Sequence, residues 1–107
     1  MHNFKDLKVW QKSIDLTSEI YEVLSGFPSD EKFGLISQIK RAAVSIPSNI
    51  AEGSGRNSGK EFKHFLSISL GSSFEIETQF IIANRLGLID NEKMENFSIK
   101  ISEIQKM

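Results

Sequence analysis

Few side chains in this chain have the type and spacing needed for chemistry. Cysteine is absent, which removes disulfides and thiolate metal sites, and His2 and His64 are the only histidines. No metal ligand set and no metal cofactor is expected. Glu75 and Glu77 stand two apart in a helical stretch, so they do not share a face, and a carboxylate pair for acid–base work is not expected. Serines are plentiful, but no strand-turn-helix elbow presents one beside a histidine base. The expectation is a protein with no catalytic residue, no cofactor and no enzymatic activity.

Charge is the second source of chemistry. The 107 residues carry 13 basic and 14 acidic side chains, net −1, so a strongly basic nucleic-acid binder is excluded while a local basic patch is not. Residues 1–39 and 65–107 are each net −2. Residues 40–64 are net +3, with Lys40, Arg41, Arg56, Lys60 and Lys63 set against Glu52 and Glu61. These five basic residues are the candidate nucleic-acid contacts, on the expectation that the end of one helix and the start of the next gather them at one pole. Arg56, in a Gly-Ser-Gly-Arg-Asn-Ser-Gly loop before a helix, is placed to meet a phosphate. The plainer reading is a solvated helix end.

The elements that must position these residues follow from apolar spacing. Leu7, Trp10, Ile14, Thr17, Tyr21 and Leu24 recur in steps of three and four, with Val9, Leu16, Ile20 and Val23 beside them. This predicts a first helix over about 6–25. Gly26-Phe27-Pro28 stops it, with Gly26 in the left-handed position that glycine tolerates. A second helix is expected over 30–52, capped by Ser29 or Asp30, with a seam of Phe33, Ile36, Ile39, Ala43, Ile46 and Ile50. Pro47 lies inside it. The pattern continues through the proline, so a kinked helix held by packing is expected. The carbonyl of Ala43 loses its usual amide donor there, and Ser48 or a water is the expected local substitute.

Ser58 and Glu61 have capping-box spacing and open a third, longest helix ending near Leu86. Its seam is Phe62, Leu66, Ser69, Ser73, Ile76, Phe80 and Ala83. Its middle is rich in small residues from Ser67 to Ser73, which should let the Pro47 region approach closely. Asp90 caps a fourth helix over about 91–105, with Met94, Phe97, Ile101 and Ile104 as its stripe. Connections are short and no period-two pattern competes, so residues 1–107 form one all-α domain, an antiparallel up-down-up-down four-helix bundle with a proline-kinked second helix. Arg41, Asn49, Glu52 and Glu75 are expected to form a buried polar layer that sets bundle register or subunit contacts. The fourth helix is about half the length of the third, leaving seam uncovered, and such surface predicts self-association.

No apolar run approaches the roughly 20 residues that span a bilayer, so no membrane partner is expected. A chain without cysteine or a secretory signal fits the cytoplasm.

Three stretches carry a family likeness: Phe4-Lys5-Asp6-Leu7-Lys8-Val9-Trp10-Gln11-Lys12; Arg41 through Gly53; and Lys60-Glu61-Phe62 with Phe65-Leu66, Gly71-Ser72, Glu75 and Glu77-Thr78-Gln79. On them the chain resembles the small bacterial four-helix-bundle proteins encoded in intervening sequences of 23S ribosomal RNA genes, and their stand-alone relatives. The C-terminal helix looks shortened against that family. The resemblance implies a homo-oligomeric ring of five subunits, no assigned enzymatic activity, and ribosomal RNA or another nucleic acid as a partner. A structural or protein-interaction scaffold without nucleic-acid affinity is the alternative.

Overall fold

Steps of three and four between apolar residues produce four α-helices: α1 Lys8–Leu24, α2 Leu35–Ser54, α3 Gly59–Arg85 and α4 Asn91–Lys106. The structure, a computed structural model, describes residues 3–31 and 34–107. Phe33, expected on the α2 seam, and His2 lie outside the described residues.

Each helix packs on two others, in the cyclic order α1, α2, α3, α4. Paired positions run in opposite directions along every contact. Thr17 meets Ala43 while Tyr21 meets Lys40. Ser69 meets Ile46 while Ser72 meets Ser45. Glu19 meets Lys100 while Lys12 meets Glu103. The bundle is therefore antiparallel throughout. Its core is Leu16, Ile20, Ile39, Ala43, Ile46, Ile50, Ile76, Phe80, Ala83, Phe97 and Ile101, each at most 5% exposed. Phe80 and Phe97 stack across α3 and α4 with ring centroids 5.0 Å apart.

Three local expectations are corrected. In α1 the innermost line is Ser13, Leu16, Ile20 and Leu24, whereas Ile14 and Tyr21 are exposed. The wide apolar face of α1 is thus rotated toward what looked like the secondary stripe. Gly26 does not take the left-handed conformation. The chain leaves α1 through tight turns, Gly26 N–H to Val23 O and Phe27 N–H to Leu24 O, and buries Phe27. Gly87 alone among the described residues has positive φ, 75°. Its N–H bonds Asn84 O and the next N–H, of Leu88, bonds Ala83 O, a Schellman ending of α3. Third, α2 begins at Leu35 rather than near residue 30. A short 3-10 turn, Ser29–Glu31, stands where its first turn was expected, and Gly34 (φ −104°, ψ −109°) lies off the helical region.

α2 runs unbroken through Pro47, which is buried. The carbonyl that the proline leaves without an amide donor, Ala43 O, lies 3.3 Å from Thr17 Oγ1 of α1, whose hydroxyl also lies 2.7 Å from Ser13 O. A neighbouring helix, and not the exposed Ser48, thus brings a hydroxyl within reach of this carbonyl, its single proton shared with the nearer Ser13 O.

Candidate functional site

Small residues of α3 bond directly across to α2. Ser69 Oγ donates to Ile46 O at 3.0 Å, and Ser72 Oγ donates to Ser45 Oγ at 2.8 Å. Asn49 Nδ2 donates to Ser45 O and Ser45 Oγ at 2.8 and 2.9 Å, which extends the polar seam along α2. At Gly53 a Cβ would stand 2.7 Å from Phe65 Cβ and 3.0 Å from Phe62 Cδ1, so the approach requires glycine. This hydroxyl seam replaces the expected charged layer. Arg41, Glu52 and Glu75 lie on the surface of the single chain, and Asn49 is half-buried. Ionised groups would have to give up hydration to enter the seam, whereas serine hydroxyls satisfy each other and a backbone carbonyl there.

The five candidate nucleic-acid residues do not all come together. Lys40 and Arg41 sit in the first third of α2, about 20 Å along the helix axis from Ser54. Lys40 Nζ lies 4.9 Å from the centre of the Tyr21 ring. Arg56 and Lys60 line one shallow depression at the α2–α3 turn, whereas Lys63 lines a separate one. Arg56 is occupied there: its Nη2 lies 2.7 Å from Glu52 Oε1 and its guanidinium 4.9 Å from the centre of the Phe65 ring. Ser58 caps α3 by accepting from Glu61 N–H at 3.1 Å. Lys60 and Lys63 are exposed and have no ion-pair partner among the described residues. Both lysines thus lie in the first turns of α3, Lys60 on the side of the braced Arg56 and Lys63 on the side of the apolar corner beyond α4.

Glu61 and His64 stand at Glu-x-x-His spacing on α3, a single pair of the kind that a di-iron bundle needs twice. Among the described residues no group of three or more His, Asp or Glu converges.

Two apolar surfaces complete the inventory. On the outer face of α3, Ile68, Leu70, Phe74, Ile81, Ile82 and Leu86 are 39–61% exposed. Ser67, Gly71 and Thr78 lie between the two edges of this band, as 100° per residue requires. The second surface is a slot of about 510 Å³ beyond the end of α4. Leu7, Val9, Ile46, Ile50, Leu66 and Ile104 line it, and Lys63 stands in its wall. It occupies the corner of the bundle that a longer α4 would fill. No described helix is long and apolar enough to cross a membrane.

Comparison with known proteins agrees with this architecture. A crystal structure of a protein of unknown function from the S23 ribosomal protein family of Bacteroides thetaiotaomicron VPI-5482 superposes with a TM-score of 0.80. The two are 29% identical, and the match covers 92% of each chain. No curated protein matches. The family profile described as 23S rRNA-intervening sequence protein matches residues 5–107. On that match, which takes in all four helices, the chain belongs to the 23S rRNA-intervening sequence protein family.

Proposed function

We propose that this protein is a non-enzymatic, self-assembling helical module of the cytoplasm, and that assembly presents its basic turns to a nucleic-acid backbone. The observation that carries the reading is the exposed apolar band of α3. Six large apolar side chains on one helix face are costly to leave in water, and burying them between copies removes that cost. The small residues between its edges allow a second helix to approach closely. Five copies, the number implied by the family resemblance, make a ring that multiplies a weak site.

The nucleic-acid part rests on Lys60 and Lys63. Two free lysines neutralise few phosphates, so a single subunit binds weakly and salt-sensitively, and repetition around an assembly supplies the affinity. Ribosomal RNA is the partner that the family's name suggests. Light scattering on the wild type should report a mass well above one subunit, and Phe74→Glu with Ile81→Glu should return it to the monomer. A monomeric wild type would end the assembly reading. Anisotropy of labelled structured RNA should rise on titration and fall as salt rises. It should lose most of its amplitude in Lys60→Ala with Lys63→Ala. Binding to no RNA even at low salt would leave a protein-interaction scaffold, a role that the Arg56–Glu52 pairing already favours by removing one cation.

A further inference from the structure

The apolar band of α3 carries a carboxylate within the edge that faces α2. Ile68, Glu75 and Ile82 recur at intervals of seven, so they lie in one line along the helix, and all three are exposed. One turn on from Glu75, Gln79 is only 6% exposed. Its Nε2 lies 3.4 Å from Glu75 Oε2, and its Oε1 is a buried acceptor with no hydrogen-bond donor among the described residues. Exchanging the nitrogen and oxygen of this amide would set an oxygen against the carboxylate, so the orphan is an acceptor. Glu75 and Gln79 thus place acceptors without a donor at the edge of a surface that assembly would dry. A carboxylate enclosed between Ile68 and Ile82 without a cation is costly, so whatever covers this edge must bring one.

Arg41 is the cation that fits. Arg56 is held by Glu52 and the Phe65 ring, and Arg85 is about 15 Å along α3 from Glu75. Arg41 is exposed and makes no ion pair among the described residues. Val44, three residues on and 42% exposed, gives it an apolar neighbour on the same face of α2. A planar guanidinium meets a carboxylate and a second acceptor at once. In its own chain Arg41 stands level with Glu75, by the antiparallel register that sets Ser72 on Ser45, yet the two make no ion pair. A pair between hydrated groups gains little there, whereas one closed off by apolar side chains must form.

We infer that Arg41 of a second copy lays its guanidinium between Glu75 and Gln79 Oε1, with Val44 beside it against the apolar edge of α3. This rests on the self-assembly reading and names a contact within it.

The test is light scattering, without RNA, on the full chain as wild type, as Arg41→Glu, as Glu75→Arg, and as an equal mixture of the two variants. Both positions are exposed, so each variant should fold, as circular dichroism will check. Either variant alone sets like charges together and should weaken self-association by about thirtyfold or more. The mixture restores opposite charges wherever unlike copies meet and should assemble again. Arg85→Gln should leave the mass unchanged. Variants that assemble as the wild type does overturn the inference and leave the self-assembly reading standing. A mixture that stays dissociated also overturns it, by assigning the pair to a single chain. Loss of mass in Arg85→Gln with none in Arg41→Glu overturns it in favour of Arg85. A monomeric wild type ends the self-assembly reading and this contact together.

Discussion

The two sides of α3 both carry small residues and end in opposite states. On the inner side Ser69, Ser72 and Ser73 are buried, and the first two bond across to α2, where Gly53 comes too close to α3 for any Cβ. On the outer side Ser67 and Gly71 are exposed, and a Cβ on Gly71 would meet nothing within 4 Å. The difference teaches that small residues do not define an interface by themselves. What decides is whether a partner backbone is present to use the room, and whether the polar groups on both sides find each other.

Four substitutions would break or sharpen that contrast. The largest effect belongs to the inner core: Ile76→Ala, at a fully buried position, should cost about 2–5 kcal/mol in chemical denaturation. Gly53→Ala comes next, at about 1–3 kcal/mol, because Phe65 and Phe62 must move to admit the methyl group. Thr17→Val keeps the shape and removes the donor beside Ala43 O, and should cost about 0.5–1.5 kcal/mol. Gly71→Ala has the smallest effect and the most informative sign. For an isolated subunit it should stabilise by about 0.5–1 kcal/mol, since the glycine lies inside an exposed helix. If copies pack on this face, the same change should instead lower assembly mass in sedimentation. A loss of stability without any change in mass would contradict both accounts of the outer face.

The helices and their apolar seams were legible because burial follows spacing. The stripes of α3 and α4 are buried or half-buried at every position, and the small middle of α3 does face the turn of α2 before Pro47. What misled was adjacency along the chain. Lys40, Arg41 and Arg56 belong to one short net-positive stretch of sequence, yet the remaining turns of α2 put about 20 Å between the first two and the helix end beside Arg56. Within the single chain Arg41, Glu52 and Glu75 stay at the surface for a related reason. Residue type alone marked Arg41, Glu52 and Glu75 as notable, but their angular positions on the helices turn them outward, while serines on the inner arc took the polar role. Thr17 was hidden because its partner is a carbonyl orphaned by a proline 30 residues away. Only the pairing of α1 with α2 reveals it. The slot could be anticipated from the unequal lengths of α3 and α4, whereas the placing of Lys63 in its wall could not.

The close seating of α2 on α3 has a consequence for the order in which the molecule opens. These two helices are joined by a short turn and locked by hydroxyls and a glycine contact, so they form the most local and best-matched pair in the chain. α4 is held by a narrower stripe and has an open corner beyond its last residue. Amide hydrogen exchange should therefore proceed in steps, with the amides of α4 losing protection first and the α2–α3 hairpin surviving until global unfolding. Each excursion of the end of α4 would lengthen the apolar corner beside it, so the segment expected to lose protection first borders the slot.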